Sequence, residues 1–294
     1  MSEPTDRGTG GRARGVLLWV LAFLLMAGAA VYQRLTGPTH PLRGSFEVAG
    51  QEYSYRLTRS GWSYADEPVR IPNPGGGVVG TLYYKRFKTD DSLTAVPMRA
   101  EGDELVGALP RQPAAGKLEY TIVLDTPGGR IHVPERPEPV VVRFKDDVPL
   151  WALLPHVAFM FFAVLWGIRA GLSALFQPAR MARHAWMALA LMTVGGLILG
   201  PIVQKLAFGA LWTGFPFGYD LTDNKTLLLW LVWVIACGMF LLRGAKDWQR
   251  RAVVVAATIM MMFVYVIPHS ARGSELDYSK LDQGVAPSEA VGQG

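Results

Sequence analysis

Two histidines stand beside prolines at the ends of apolar runs: Pro155-His156 lies at the start of one, and Pro268-His269 follows another. Two imidazoles at the same depth on separate helices are the ligand set of a b-type haem, so His156 and His269 are candidate ligands of haem b. Between two further apolar runs the chain reads FGALWTGFPFGYDLTDNKT, residues 208–226, preceded by GPIVQK. Gln204, Lys205, Trp212, Asp220, Asp223, Asn224 and Lys225 are therefore candidates for a ligand or partner site. In one reading the histidines, Gln204 and the acids Asp220 and Asp223 line an outward-facing cavity for a cofactor, a proton or a small molecule. In the other the rings form an interfacial aromatic belt, and Asp220 or Thr222 caps the next helix with Asp223 favouring its dipole. A plain turn between helices needs far fewer residues.

The elements that must position these groups are apolar. The chain has 294 residues, 50% of them hydrophobic and 18% charged, which is a membrane protein's balance. Residues 16–32, 155–176, 185–208, 226–242 and 252–267 are each long enough, at about 1.5 Å per residue, to cross or nearly cross a hydrocarbon core of about 30 Å. Arg7, Arg12 and Arg14, then Arg180 and Arg183, then Arg243, Lys246, Arg250 and Arg251 flank alternate ends of these runs. The positive-inside rule makes residues 1–15 a cytoplasmic basic terminus and places residues 33–150 and the 208–226 connection on the other side. Arg169, near the cytoplasmic end of its span, reads as a snorkelling residue. The basic residues lie on separate loops rather than one face, so no nucleic-acid partner is expected.

Residues 16–34 read either as a retained transmembrane anchor, with Tyr32, Gln33 and Arg34 at the interface, or as a cleaved signal ending in Ala27-Gly28-Ala29. Residues 38–149 change character. Alternating stretches such as GSFEVAGQEYSYRLTR, GTLYYKRF, KLEYTIVLD and PVVVRF, punctuated by NPGGG, EGD, PAAG and TPGG, predict a small all-β domain. Residues 43–60, RGSFEVAGQEYSYRLTRS, read as a hairpin added before it. The segment VVGTLYYKRFKTDDSLTAVPMRAEGDELVGALPRQPAAGKLEYTIVLDTPGGR resembles the later strands of immunoglobulin-like or fibronectin type III-like sandwiches of bacterial surface proteins. That resemblance implies a sandwich scaffold and carries no chemistry.

The expected architecture is a multi-domain membrane protein: an N-terminal anchor or signal peptide, an extracytoplasmic all-β sandwich, a four-helix transmembrane bundle over 150–269, and an extracytoplasmic tail without structure over 270–294. The small-residue spacing of Gly196 and Gly200 suits close helix packing. Cys237 is the only cysteine, so no intramolecular disulfide or cysteine cluster forms. No Ser/His/Asp set, His-Glu-x-x-His run or phosphate loop is visible, which leans against an enzyme. The function expected is that of a bacterial inner-membrane subunit or assembly factor presenting its periplasmic sandwich to a protein partner, within an electron-transfer complex or elsewhere. The alternatives are a haem-binding electron carrier and, against the lack of an internal repeat, a small-molecule transporter.

Overall fold

The computed structural model describes residues 7–268 and 273–292, excepting the side chains of residues 7–10; His269 lies outside these residues. An N-terminal apolar helix precedes a sheet-rich middle region, and four further apolar helical stretches follow. Five stretches, Gly11–Thr36, Leu150–Phe176, Pro178–Phe208, Leu221–Leu241 and Asp247–Val266, are long and apolar enough to cross a membrane. The chain divides into two compact units, one within Met1–Thr36, Pro149–Val203 and Leu221–His269, the other within Gly37–Val148, Gln204–Asp220 and Ser270–Gly294.

The helical unit is built from α1 (Arg7–Thr36), α2 (Leu150–Phe176), α3 (Met181–Met192), α5 (Leu221–Leu241) and α6 (Asp247–Val266), with α4 (Gly200–Phe208) continuing the α3 stretch. Helix α2 packs against α1, α3 and α6. Its buried Ala163, Gly167, Ala170, Gly171 and Ala174 recur every three or four residues and let neighbouring backbones approach. A Cβ on Gly171 would lie 2.6–2.8 Å from three atoms of Thr258, whose hydroxyl donates to Gly167 O at 3.0 Å. The third span starts at Pro178 rather than 185, because Pro178 occupies the first turn of a short 3₁₀ segment that runs straight into α3.

Two features of this unit depart from expectation. Arg169 is fully buried, not snorkelling: its guanidinium bonds Ser173 Oγ and Gln177 Oε1 on the following turns of its own helix and the loop after it. Between α3 and α4, Thr193–Leu199 is π-helical, and Gly200 N–H donates to Gly195 O five residues back. Within this span the tightest glycines are Gly195 and Gly196, rather than Gly196 and Gly200. Their added Cβ atoms would meet Phe159 Cβ at 2.9 Å and Thr226 Cγ2 at 2.7 Å, whereas the nearest atom to one on Gly200 is at 3.5 Å.

The second unit opens with the hairpin β1 (Leu42–Val48) and β2 (Gln51–Leu57), turned through Ala49 and Gly50 at φ 52° and 79°. One sheet runs β3 (Ser60–Trp62), β11 (Val140–Lys145), β9 (Lys117–Thr126), β5 (Val79–Arg86) and β6 (Thr94–Pro97), and a second runs β4 (Glu67–Pro72), β8 (Glu104–Leu109) and β7 (Arg99–Glu101). All pairs are antiparallel except β3 with β11. Strand β10 (Gly129–Val133) and β11 share one edge of β9. They are separated by PERPEP, whose three prolines have no N–H to offer a ladder. Alternation on β9 buries Leu118, Tyr120, Ile122 and Leu124 in one core with Val69, Ile71, Leu105 and Leu109 of the other sheet.

The segment expected as a structureless tail is folded over 273–292. It forms β12 (Glu275–Leu276) paired with β13 (Val291–Gly292), enclosing α7 (Tyr278–Asp282) and α8 (Pro287–Ala290). Its composition is polar, yet Leu276, Tyr278 and Ala290 are buried together, and this apolar triplet helps to hold the segment.

Candidate functional site

Asp220 gathers the polar groups of the connection. The buried carboxylate accepts, on one oxygen, the Ser274 N–H at 2.6 Å and the hydroxyls of Ser274 and Thr213 at 3.0 Å each. Gln204 Nε2 then donates to those same hydroxyl oxygens, at 2.8 Å to Thr213 and 3.2 Å to Ser274. Each hydroxyl thus donates to the carboxylate and accepts from the amide. The backbone agrees, since Asp220 N–H donates to Thr213 O at 3.1 Å.

Arg143 supplies the neighbouring positive charge. It donates from Nη2 to Ser274 O at 2.7 Å and lies 3.8 Å above the centre of the Phe208 ring. Burial pushes its guanidinium pKa down to about 10, opposed by the negative charges of Asp220 and Glu275. A cationic side chain in the mid-strand sequence VVVRF was the one sequence signal that could have named it. Thr213 and Ser274 carry no such mark, and sequence reasoning missed all three.

A cleft of about 720 Å³ opens elsewhere in this unit, where the C-terminal segment meets β5 and β9. Glu275 takes Lys117 Nζ at 2.6 Å and Lys88 Nζ at 2.7 Å. Burial pushes Glu275 up, but these two partners more than offset it and hold the carboxyl below its ordinary range; burial dominates for Lys117 and lowers it. Arg86 grips Asp91 and Asp282 with paired contacts of 2.5–3.0 Å and stacks 5.0 Å over Tyr278. The cleft's cations are paired within the chain, so it reads as a clasp for the C-terminal segment.

The other candidate residues fall into separate groups. Lys205 is exposed, and Trp212 is half-buried with its indole N–H donating to Phe215 O at 3.0 Å. Asp223 and Asn224 lie at the start of α5, Asp223 buried. Lys225, also buried, donates to Ile267 O at 2.5 Å and so ties α5 to the end of α6. His156 Nδ1 lies 2.9 Å from Gly195 O. A carbonyl oxygen only accepts, so Nδ1 carries the proton and Nε2 is left with a lone pair, the arrangement usual for a metal-facing imidazole. The expected pairing of His156 with His269 as haem ligands involves a residue outside those described.

No protein-family model matches the chain, and no curated protein matches it.

Proposed function

We propose that this is a multi-pass protein of a bacterial inner membrane that presents an immunoglobulin-like sandwich on the periplasmic side, acting as a non-catalytic membrane subunit or assembly factor. The carrying observation is the division of labour in the connection. Its polar groups, Gln204, Thr213 and Asp220, turn inward into a shared hydrogen-bond set, while Phe215, Phe217 and Tyr219 stay 66%, 72% and 75% exposed. Exposed rings on a well-held loop suit recognition. The strand order β3-β11-β9-β5-β6 opposite β4-β8-β7, with a parallel β3–β11 pair, supports an immunoglobulin-like scaffold. The basic residues at alternate helix ends support the orientation.

The experiment is a photo-crosslinking amino acid at Phe217 in cells, with an activity reporter fused after Gly209 to check the side. A discrete protein adduct and an active reporter are expected. An inactive reporter, or adducts to lipid alone, would sink the reading.

The tautomer of His156 favours a second reading, a haem-binding electron carrier in which Nε2 is one axial ligand. Purified protein would then show a Soret band that His156→Ala removes. A colourless preparation from haem-supplemented cells excludes it.

A further inference from the structure

The helical unit contains a cationic cluster that the proposed function does not use. Arg169 has no exposed surface. It donates to the neutral oxygens of Ser173 and Gln177, lies 5.5 Å over the Trp19 ring, and leaves Nε without a hydrogen-bond partner among the described residues. Ser173 Oγ also meets buried His184 Nδ1 at 2.7 Å. Trp19 and Trp166 pack edge-on at 4.9 Å, and both rings edge against His184, at 5.6 and 5.3 Å. These two tryptophans, His184, Arg180 and Arg183 enclose a cleft of about 330 Å³.

Charge in this cleft is one-sided. Among the described residues, none of Arg169, Arg180 and Arg183 has a carboxylate within 4 Å, in contrast to the clasp of Glu275 and Asp282, where the arginine and lysines are paired. A buried guanidinium without a counter-ion is costly, and more so in a segment apolar enough to cross a bilayer. An anion in the cleft would offset that cost. The cleft's size suits a headgroup rather than a peptide, and the rings on its walls are those found at membrane–water interfaces.

We infer that the cleft of Trp19, Trp166, Arg180, Arg183 and His184 binds the phosphodiester of an anionic glycerophospholipid, with Arg169 behind it as a fixed positive charge. Basic clefts between membrane helices recognise phosphate headgroups by these contacts. Arg180 and Arg183, both exposed, hold the phosphate from the open side. Helix α1 comes up to the cleft at Gly15, where an added Cβ would stand in ordinary contact, 3.5 Å, with Arg180 Nη1.

The test uses the full chain, delipidated in neutral detergent, with native mass spectrometry and thermal unfolding as readouts. Three arms add phosphatidylglycerol, phosphatidylcholine or inorganic phosphate. One retained phosphatidylglycerol per chain and a raised melting temperature are expected, with neither effect from phosphatidylcholine or millimolar phosphate. Arg180→Gln with Arg183→Gln changes exposed side chains only; it should weaken phosphatidylglycerol retention by about tenfold or more while the lipid-free melt stays at the wild-type temperature. Arg183→Gln alone should give an intermediate loss. Equal retention by wild type and double variant, or equal retention of the two lipids, overturns the site. Stabilisation by inorganic phosphate with no lipid preference overturns its assignment to a lipid.

Discussion

Lys117 Nζ stands 2.6 Å from Glu275 Oε1, joining strand β9 to a segment 158 residues later in the chain, and the two side chains are only 8% and 15% exposed. This ion pair is a main fastening of the C-terminal segment to the β-rich unit. Tyr278 backs it up by accepting the Lys117 N–H at 3.0 Å.

Glu275→Gln removes the anion between Lys117 and Lys88 and leaves a largely buried ammonium poorly compensated. The expected cost is about 2–3 kcal/mol, at or below the range for breaking a buried pair because Lys88 is exposed. Limited proteolysis should cleave residues 273–292 sooner in the variant while the strands stay protected. Unchanged cleavage would show that Tyr278 and Leu276 hold the segment unaided.

The same fastening should weaken in acid. Glu275 titrates below its ordinary value of 4.5 in the folded chain, so the unfolded segment binds more protons. Its contribution is fully present above 4.5 and is lost as pH falls through the lower folded value. Asp91, held down to about 2 by its hydrogen bonds from Arg86, loses its contribution over the same direction and further down. Proteolytic release of the segment should therefore rise below about pH 4.5 in wild type and change less in Glu275→Gln.

Asp220→Ala deprives Ser274 N–H and the hydroxyls of Ser274 and Thr213 of their shared acceptor. A loss of about 3 kcal/mol is expected, the cost of leaving buried donors unmet. Tyr219→Ala, one residue away and 75% exposed, should stay within about 0.5 kcal/mol in the same denaturation series. Equal effects would mean that the connection is held by its rings.

Within the helical unit, Gly171→Ala drives a methyl into Thr258, a β-branched residue already bonded to Gly167 O. We expect about 1–3 kcal/mol of destabilisation, as for overpacking generally. Gly238→Ala, with no heavy atom of the described residues within 4 Å of the added carbon, is the matched control and should be neutral or slightly stabilising. The measurement is the melting temperature of each variant in one detergent.

Apolar runs and alternation announced the five helical stretches and the sheet-rich region because each depends on local period alone. Asp220 and Gln204 were recognisable as polar residues in costly places. Their partners were not, since Ser274 reaches Asp220 across 54 residues and Arg143 reaches Ser274 across 131. The burial of Arg169 was hidden for a related reason: it depends on Trp19, supplied by a helix 150 residues earlier, and on Ser173 one turn away, which by itself looks like any helical serine. Order in the C-terminal segment was masked by its polar composition, because three buried side chains suffice when ion pairs do the rest.

The π-helical stretch Thr193–Leu199 has a bearing on sequence drift. It behaves as one residue more than an α-helical frame would hold. A single deletion there would close the surplus turn and leave the residues that follow close to their present angular phase, whereas a deletion in a flanking α-helix would turn them by about 100°. The Gly195 carbonyl would return to the ordinary ladder, and His156 would lose the acceptor that sets its tautomer. A one-residue change in length is therefore absorbed inside these seven residues more readily than in the α-helices on either side, and what it costs is the contact with His156.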